Sequence, residues 1–435
     1  MDGPVSGMDS GEMADAVAKE KPLVVGISSI TATYYRAFEL AKNIKSLMDI
    51  PILIGGPHAS IMPHDILNDG FFDIVVAHEG EFTTLELVNE FKKNPGLLKD
   101  KKTLKGVDGI FFRDGRKVVG TKPRALIENL DVLPFPARHL VDLKAYKPLP
   151  NQYKRLPITN MVAIRGCPFS CTYCSNSAVF GKRIRAFSPQ RVVDEIRHLR
   201  ERYGIKEISF WDDNLTIDKK WMTAVCDLLI KERVDVTWCC YGRVNTVDSD
   251  ILKKMSKAGC WNIFYGLESG NQELLDIIKK GITLQQIRDA MKWTSKAGIE
   301  TRGSFMIALP GETPELARKT IDFAVDLDLD YAQFCITTPF PGTELYEQAK
   351  KYGKLSKEYD KYNIWDPVFV PYGYKDAEEI KEMEREAMRR FYMRPRYITK
   401  RILKLRSLGD IKRNIEGVKL VMGFTKSEPP EKKPR

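Results

Sequence analysis

Two rhythms of apolar and polar positions run along this chain. From Leu23 to Val119, short apolar runs alternate with stretches of helical period. Leu23-Val-Val-Gly-Ile-Ser28, Ile52-Leu-Ile54 and Phe72-Asp-Ile-Val-Val-Ala77 read as buried strands, because their apolar residues are nearly continuous. Ala37, Leu40, Ala41, Ile44 and Met48 mark one face of a helix between the first two. Such alternation predicts a parallel sheet with helices on its faces. Asp114-Gly115, between two apolar runs, predicts a hairpin. From Met161 the alternation resumes in longer units, with candidate strands at 161–165, 207–212, 236–243, 262–268, 300–308 and 331–338. Ser188-Pro189 is a start signal for the helix running from Val192 to Tyr203. Six strand–helix units fall short of the eight in a closed barrel, so an open, partial (β/α)6 barrel is expected, with its ligand mouth at the C-terminal strand ends.

The predicted fold class is therefore α/β, in several parts. Residues 1–22 form a disordered or helical start, 23–127 an incomplete doubly wound (Rossmann-like) domain, and 128–156 a proline-rich linker. Residues 157–350 form the barrel, 351–426 a basic helical extension and 427–435 a disordered tail. With 43% hydrophobic and 29% charged residues, cores of this size can form. No apolar run approaches the roughly 18 residues of a membrane span. The N-terminus lacks a basic start followed by an apolar stretch, so it is not read as a secretory signal. The eight cysteines then point to a reducing, cytoplasmic setting, with metal or catalysis favoured over disulfides.

Charge narrows the partners. The chain carries +11, and Arg389 to Lys426, with twelve basic residues and two acids, holds +10 of it. A basic excess confined to one segment argues against nucleic acid as a partner. It fits a solvated helix that packs Ile402, Leu405 and Leu408 against the body, the favoured expectation, or peripheral contact with a membrane surface or an anionic partner.

The chemistry is concentrated in Arg165-Gly-Cys167-Pro-Phe-Ser-Cys171-Thr-Tyr173-Cys174, directly after the first predicted barrel strand. Three cysteines at this spacing can converge their thiolates on one metal centre. Zinc sites and redox iron–sulfur clusters usually take four ligands. Three leave one position open for catalysis, and a structural zinc knot is the alternative. Other predicted strand ends carry Asp212-Asp213, Arg243, Glu268 and Pro310-Gly311-Glu312. Cys226, Cys239, Cys240, Cys260 and Cys335 fall in strand or helix patterns and read as core.

The three-cysteine motif, with an aromatic before its last cysteine at the first strand end of a six-unit barrel, resembles the radical S-adenosylmethionine (radical SAM) superfamily. The resemblance implies that Cys167, Cys171 and Cys174 hold a [4Fe–4S] cluster whose fourth iron chelates S-adenosylmethionine. One electron then cleaves that molecule to methionine and a 5′-deoxyadenosyl radical. It also implies contacts to S-adenosylmethionine from Tyr173, Asp212, Asp213, Arg243, Glu268, Pro310, Gly311 and Glu312. An electron donor such as flavodoxin or ferredoxin is implied as well.

Gly26-Ile-Ser28-Ser-Ile-Thr31, Gly55-Gly56-Pro57-His58 and Glu79-Gly80-Glu81 resemble the cobalamin-binding domain that precedes many such barrels. Ser28, Thr31, Gly55 and Gly56 are then the expected cobalamin contacts. Three parallel strands stand where about five are usual, and no DxHxxG is present. The domain thus reads as shortened or degenerate, with weak, base-off cobalamin binding expected. The expected function is a cobalamin-dependent methyltransferase acting on an unactivated carbon of a small-molecule or lipid-like substrate. The alternatives are a cyclase or rearrangement enzyme without methyl transfer, and a non-catalytic iron–sulfur or zinc scaffold.

Overall fold

The computed structural model describes residues 2–404 and 408–425, and two sheets organise them. The first has five strands in sequential order: β1 (Val25–Ser28), β2 (Ile52–Gly55), β3 (Ile74–Val76), β4 (Ile110–Asp114) and β5 (Lys117–Gly120). β1 to β3 are parallel, with Val25 opposite Ile52 and Leu53 opposite Ile74. The predicted hairpin adds β4 and β5 antiparallel, turning at Gly115 with φ 63°. Ala37, Ala41 and Ile44 of helix Tyr34–Leu47 bury against Ile52 and Ile54 on one face of the sheet. Leu87 and Phe91 of helix Glu81–Lys93 cover Leu53 and Ile74 on the other. The N-terminal segment folds as helix Ser10–Glu20, capped by the Asp9 carboxylate accepting from Gly11 and Glu12 N–H. Its Ala14 joins the first of those cores.

The second sheet is the open barrel. Its strands are β6 (Ile158–Met161), β9 (Glu207–Phe210), β10 (Thr237–Gly242), β11 (Cys260–Glu268), β12 (Glu300–Ile307) and β13 (Tyr331–Ile336), all parallel and in sequential order. Helices such as Pro189–Tyr203, with Ser188 accepting from Arg191 N–H, cover the outer face. Val193, Ile196, Phe210, Trp238 and Phe305 form the core there.

The first barrel strand departs from expectation. It spans 158–161 and not 161–165, and Ile164–Arg165 forms a separate short strand, β7, antiparallel to β8 (Arg185–Ala186). The cause is local. The Asp212 carboxylate accepts from the backbone N–H groups of Ala163 and Ile164, drawing them out of the ladder.

The C-terminal region is not helical throughout. It opens with a ribbon pairing Gly353–Leu355 to Phe369–Pro371, then helices Ala377–Tyr392, Pro395–Leu403 and Leu408–Thr425. The expected packing of Ile402 is also overturned, since it is 60% exposed, next to Leu403 at 73%. Lys400 and Lys404 instead pair with Asp330, and Arg401 donates to Tyr331 Oη at 2.6 Å. The barrel floor is acidic here, with Asp328, Asp330 and Glu300, so the basic face turns inward and the aliphatic face outward. Leu405, the side chain of Leu408 and the predicted tail at 427–435 lie outside the described residues. Among the described residues no helix is long and apolar enough to cross a membrane.

Candidate active site

Cys167, Cys171 and Cys174 sit on the loop between β7 and helix Asn176–Val179. Gly166 starts the loop at φ 86°, and a Cβ there would stand 2.1 Å from the Arg183 carbonyl oxygen. Only glycine lets the chain pass so close. Cys174 N–H donates to the Cys171 carbonyl at 3.1 Å, and Thr172 N–H to the Ile278 carbonyl at 3.0 Å. Arg243, at the C-terminal end of β10, places Nη1 3.5 Å from Cys171 Sγ and stacks on the Phe169 ring at 3.8 Å.

Burial pushes the Cys174 thiol up to about 11, against the Asn176 N–H and with the Asp213 charge adding. All eight cysteines are free, and the other five are buried as expected. Among the described residues no three metal-ligating side chains yet stand in metal-holding arrangement. The donor set nevertheless fits an iron–sulfur cluster: three thiols on one loop, beside a guanidinium able to balance thiolate charge. Metal binding deprotonates such thiols.

At the end of β11, Glu268 is 5% exposed and has φ 63°, a conformation non-glycine residues rarely hold without cost. Its carboxylate accepts from Tyr173 Oη at 2.8 Å and from Lys280 Nζ at 2.6 Å, and Lys280 also reaches Tyr173 Oη at 2.9 Å. The network joins the cysteine loop to the fourth barrel strand. Lys280 escaped the sequence reading, since a lysine in Ile278-Lys-Lys280-Gly shows no sign of pointing inward.

The aspartates of 212–213 divide. Asp212, 2% exposed, spends one oxygen on the 163–164 backbone, and burial pushes its carboxyl up to about 7. Asp213 is exposed, and its charge acts on both Cys167 and Cys174. After β12, Pro310 and Gly311 form the turn, Gly311 at φ 79°. Glu312 turns back into the protein. It accepts from Ala308 N–H and from Tyr374 Oη at 2.9 Å, and burial pushes its carboxyl up to about 8. It fastens the loop to the C-terminal region, a contact the sequence did not suggest.

In the N-terminal module Ser28 and Gly55 are opposite each other at the C-terminal ends of β1 and β2. Gly56 follows at φ 95°, where a Cβ would stand 2.6 Å from the Ser29 carbonyl oxygen. Thr31 Oγ1 lies 3.1 Å from Nδ1 of His58, a buried ring whose pKa burial lowers to about 4. Hydroxyls and a glycine-lined edge of this kind suit the polar tail of a bulky cofactor. The module is fastened to the cysteine loop by charge. Glu79 accepts from Arg185 Nη1 at 2.7 Å and Arg165 Nη1 at 2.8 Å, and Glu81 from Arg165 Nη2 at 2.5 Å. The sequence singled out both glutamates, and their arginine partners are findings of the fold.

Comparison with known proteins finds the same two modules. Residues 161–324 match the Radical SAM superfamily model, and residues 5–88 match the B12 binding domain model. The "Uncharacterized methyltransferase PH0819" of Pyrococcus horikoshii is 37% identical over 421 residues, 96% of this chain and 89% of that protein. The anaerobic magnesium-protoporphyrin IX monomethyl ester cyclase of Rubrivivax gelatinosus is 28% identical over 404 residues, 92% of this chain and 71% of that protein. Among solved structures, the cobalamin-dependent S-adenosylmethionine radical enzyme OxsB, with aqua-cobalamin and S-adenosylmethionine bound, superposes with a TM-score of 0.71 at 16% identity. That match covers 98% of this chain and 66% of the OxsB chain, so the likeness is one of fold and the solved protein is longer. The B12 match begins at residue 5 and so takes in the N-terminal helix. On the cysteine loop, the open barrel and these matches together, the chain belongs to the radical SAM superfamily, among the members that carry a B12-binding domain.

Proposed function

We propose that this chain is a cobalamin-dependent radical SAM methyltransferase that acts on an unactivated carbon. The observation that carries the proposal is the joining of two cofactor modules at one buried point, Glu79 against Arg185 and against Arg165, which stands two residues before Cys167. The near full-length relative named a methyltransferase supports the same reading. When bound, the cluster supplies one electron to S-adenosylmethionine and cobalamin carries the methyl group.

The chain's residues divide the remaining work. Cys167, Cys171 and Cys174 would hold the cluster, with Arg243 balancing thiolate charge beside Cys171. Asp213 offers a carboxylate to the amino group of S-adenosylmethionine. Glu268, oriented by Tyr173 and Lys280, accepts from the ribose hydroxyls. Pro310 and Gly311 border the adenine, while Asp212 and Glu312 position backbone. Ser28, Thr31, Gly55 and Gly56 would line the cobalamin tail.

A donor of the flavodoxin or ferredoxin class would provide the electron, in a reducing cytoplasm. The exposed Ile402 and Leu403, with the largely exposed Arg396 nearby, support peripheral contact with an anionic membrane. Ring closure without methyl transfer is the second reading, favoured by the cyclase relative that spans 92% of this chain.

The test is anaerobic incubation of the reconstituted protein with hydroxocobalamin, a low-potential reductant and S-adenosylmethionine labelled in its methyl group. The proposal expects label on cobalamin and a matching amount of S-adenosylhomocysteine. Formation of 5′-deoxyadenosine with no S-adenosylhomocysteine would turn the assignment to the second reading.

A further inference from the structure

The inner surface of the barrel carries a charge that the cofactor reading leaves unused. Arg302, on β12, is 7% exposed, and its Nε is buried without a hydrogen-bond partner. No carboxylate pairs with it among the described residues, although a buried cation normally requires one. Its guanidinium instead lies 4.1 Å from the centroid of the Phe264 ring. Phe264 meets Tyr241 edge-on at 5.2 Å, and Tyr241 meets Trp211 at 6.3 Å. The result is an aromatic row that starts at Trp211, which is 55% exposed, and ends at a cation.

Strand register gives the depth. Tyr241 stands opposite Phe264, and Phe264 opposite Arg302, so the three share one layer. Arg243, which touches Cys171, is two residues further along β10. At about 3.3 Å per residue, the Arg302 layer lies about 7 Å below the cysteine-loop contact. A small cavity of about 10 Å³ adjoins it, bordered by Gln152, Ser209, Cys239 and Asn262 among others. The Gln152 side chain at its edge accepts from Leu149 N–H at 3.3 Å.

We propose that Arg302 anchors a carboxylate of the substrate, whose flat apolar body lies along Trp211 and Tyr241. This deepens the methyltransferase reading and rests on it, since the anchored body would present a carbon to the cysteine-loop mouth. The planar guanidinium suits a carboxylate taken edge-on. The cavity has room for about one water, so the smaller carboxylate is favoured over a phosphate.

The experiment reads recognition without turnover, so its failure is distinct from a failure of methyl transfer. The anaerobically reconstituted protein is titrated calorimetrically with 2-naphthoate, its neutral isostere 2-naphthamide, and 2-naphthyl phosphate. A charge-assisted pair predicts that naphthoate binds about tenfold or more tightly than naphthamide. Naphthyl phosphate should bind more weakly than naphthoate. Arg302→Met should erase the preference for naphthoate while leaving naphthamide affinity and the far-ultraviolet circular dichroism unchanged. Arg302→Lys, which keeps the charge and the fold but not the fork, should retain a reduced preference. Equal affinities for naphthoate and naphthamide in the wild type, no naphthoate binding, or a preference that survives Arg302→Met would each overturn the proposal. Tighter binding of the phosphate would overturn the carboxylate assignment.

Discussion

Replacing Glu79 with alanine asks whether charge fastens the two modules. The Glu79 and Arg185 side chains are 3% and 2% exposed. Both Glu79 oxygens accept from Arg185 Nη1 at 2.7 Å, one from Arg165 Nη1 at 2.8 Å, and one from Ile127 N–H at 2.7 Å. Without the carboxylate, Arg185 keeps only the carbonyls of Ile127 and Phe180, and a buried cation loses its counter-charge. Breaking one side of such a pair costs about 3–5 kcal/mol. The pair between Arg155 and Asp235, whose aspartate is 69% exposed, is a control expected to contribute under about 1 kcal/mol.

The assay is anaerobic urea unfolding followed by far-ultraviolet circular dichroism. Glu79→Ala should lower stability by about 4 kcal/mol and Asp235→Ala by a small fraction of that. Adding Arg185→Leu to Glu79→Ala should recover part of the loss, since no buried charge then stands alone. If Glu79→Ala matches Asp235→Ala to within about 0.5 kcal/mol, the charged fastening is wrong. Acidity gives a second reading. Burial raises the Glu79 carboxyl, but the bonds from Arg165, Ile127 and Arg185 outweigh it and hold the group below its ordinary 4.5. A depressed folded value contributes stability that is present above the unfolded value and lost as pH falls through the folded one. The gap between wild type and Glu79→Ala should therefore close in acid.

Three further outcomes are expected. Lys280→Met leaves the Glu268 carboxylate buried without its cation, so S-adenosylmethionine affinity in equilibrium dialysis should fall about tenfold with iron content unchanged; undiminished affinity would place the ribose contact elsewhere. Burial lowers His58 to about 4, so between pH 6.5 and 4 the unfolded chain takes up a proton that the folded one refuses. Wild-type stability should fall by up to about 3 kcal/mol across that window, and a His58→Gln variant with the same slope would show that this ring is not responsible. Sedimentation with anionic vesicles at low salt should weaken steeply toward 1 M salt, where screening shortens to about 3 Å, and absence of sedimentation at low salt would leave the C-terminal helices a purely structural role.

What the sequence determined by itself was whatever depends on neighbours along the chain. Strand and helix rhythm is local periodicity, so the parallel sheet, the hairpin at Gly115 and five of the six barrel strands were legible. The cysteine motif was legible because its three thiols sit on one loop. The tertiary structure decided which distant groups meet. Lys280 reaches Tyr173 across 107 positions, Arg185 reaches Glu79 across 106, and Tyr374 reaches Glu312 across 62. No periodicity encodes such pairs, because only folding brings their chain segments into contact. The same limit misdirected the reading of the C-terminal helices. Helical spacing revealed an apolar face and a basic face but not which one meets the body. The acidic floor formed by Asp328, Asp330 and Glu300 settled it, since those carboxylates attract Lys400 and Lys404 and leave Ile402 facing outward.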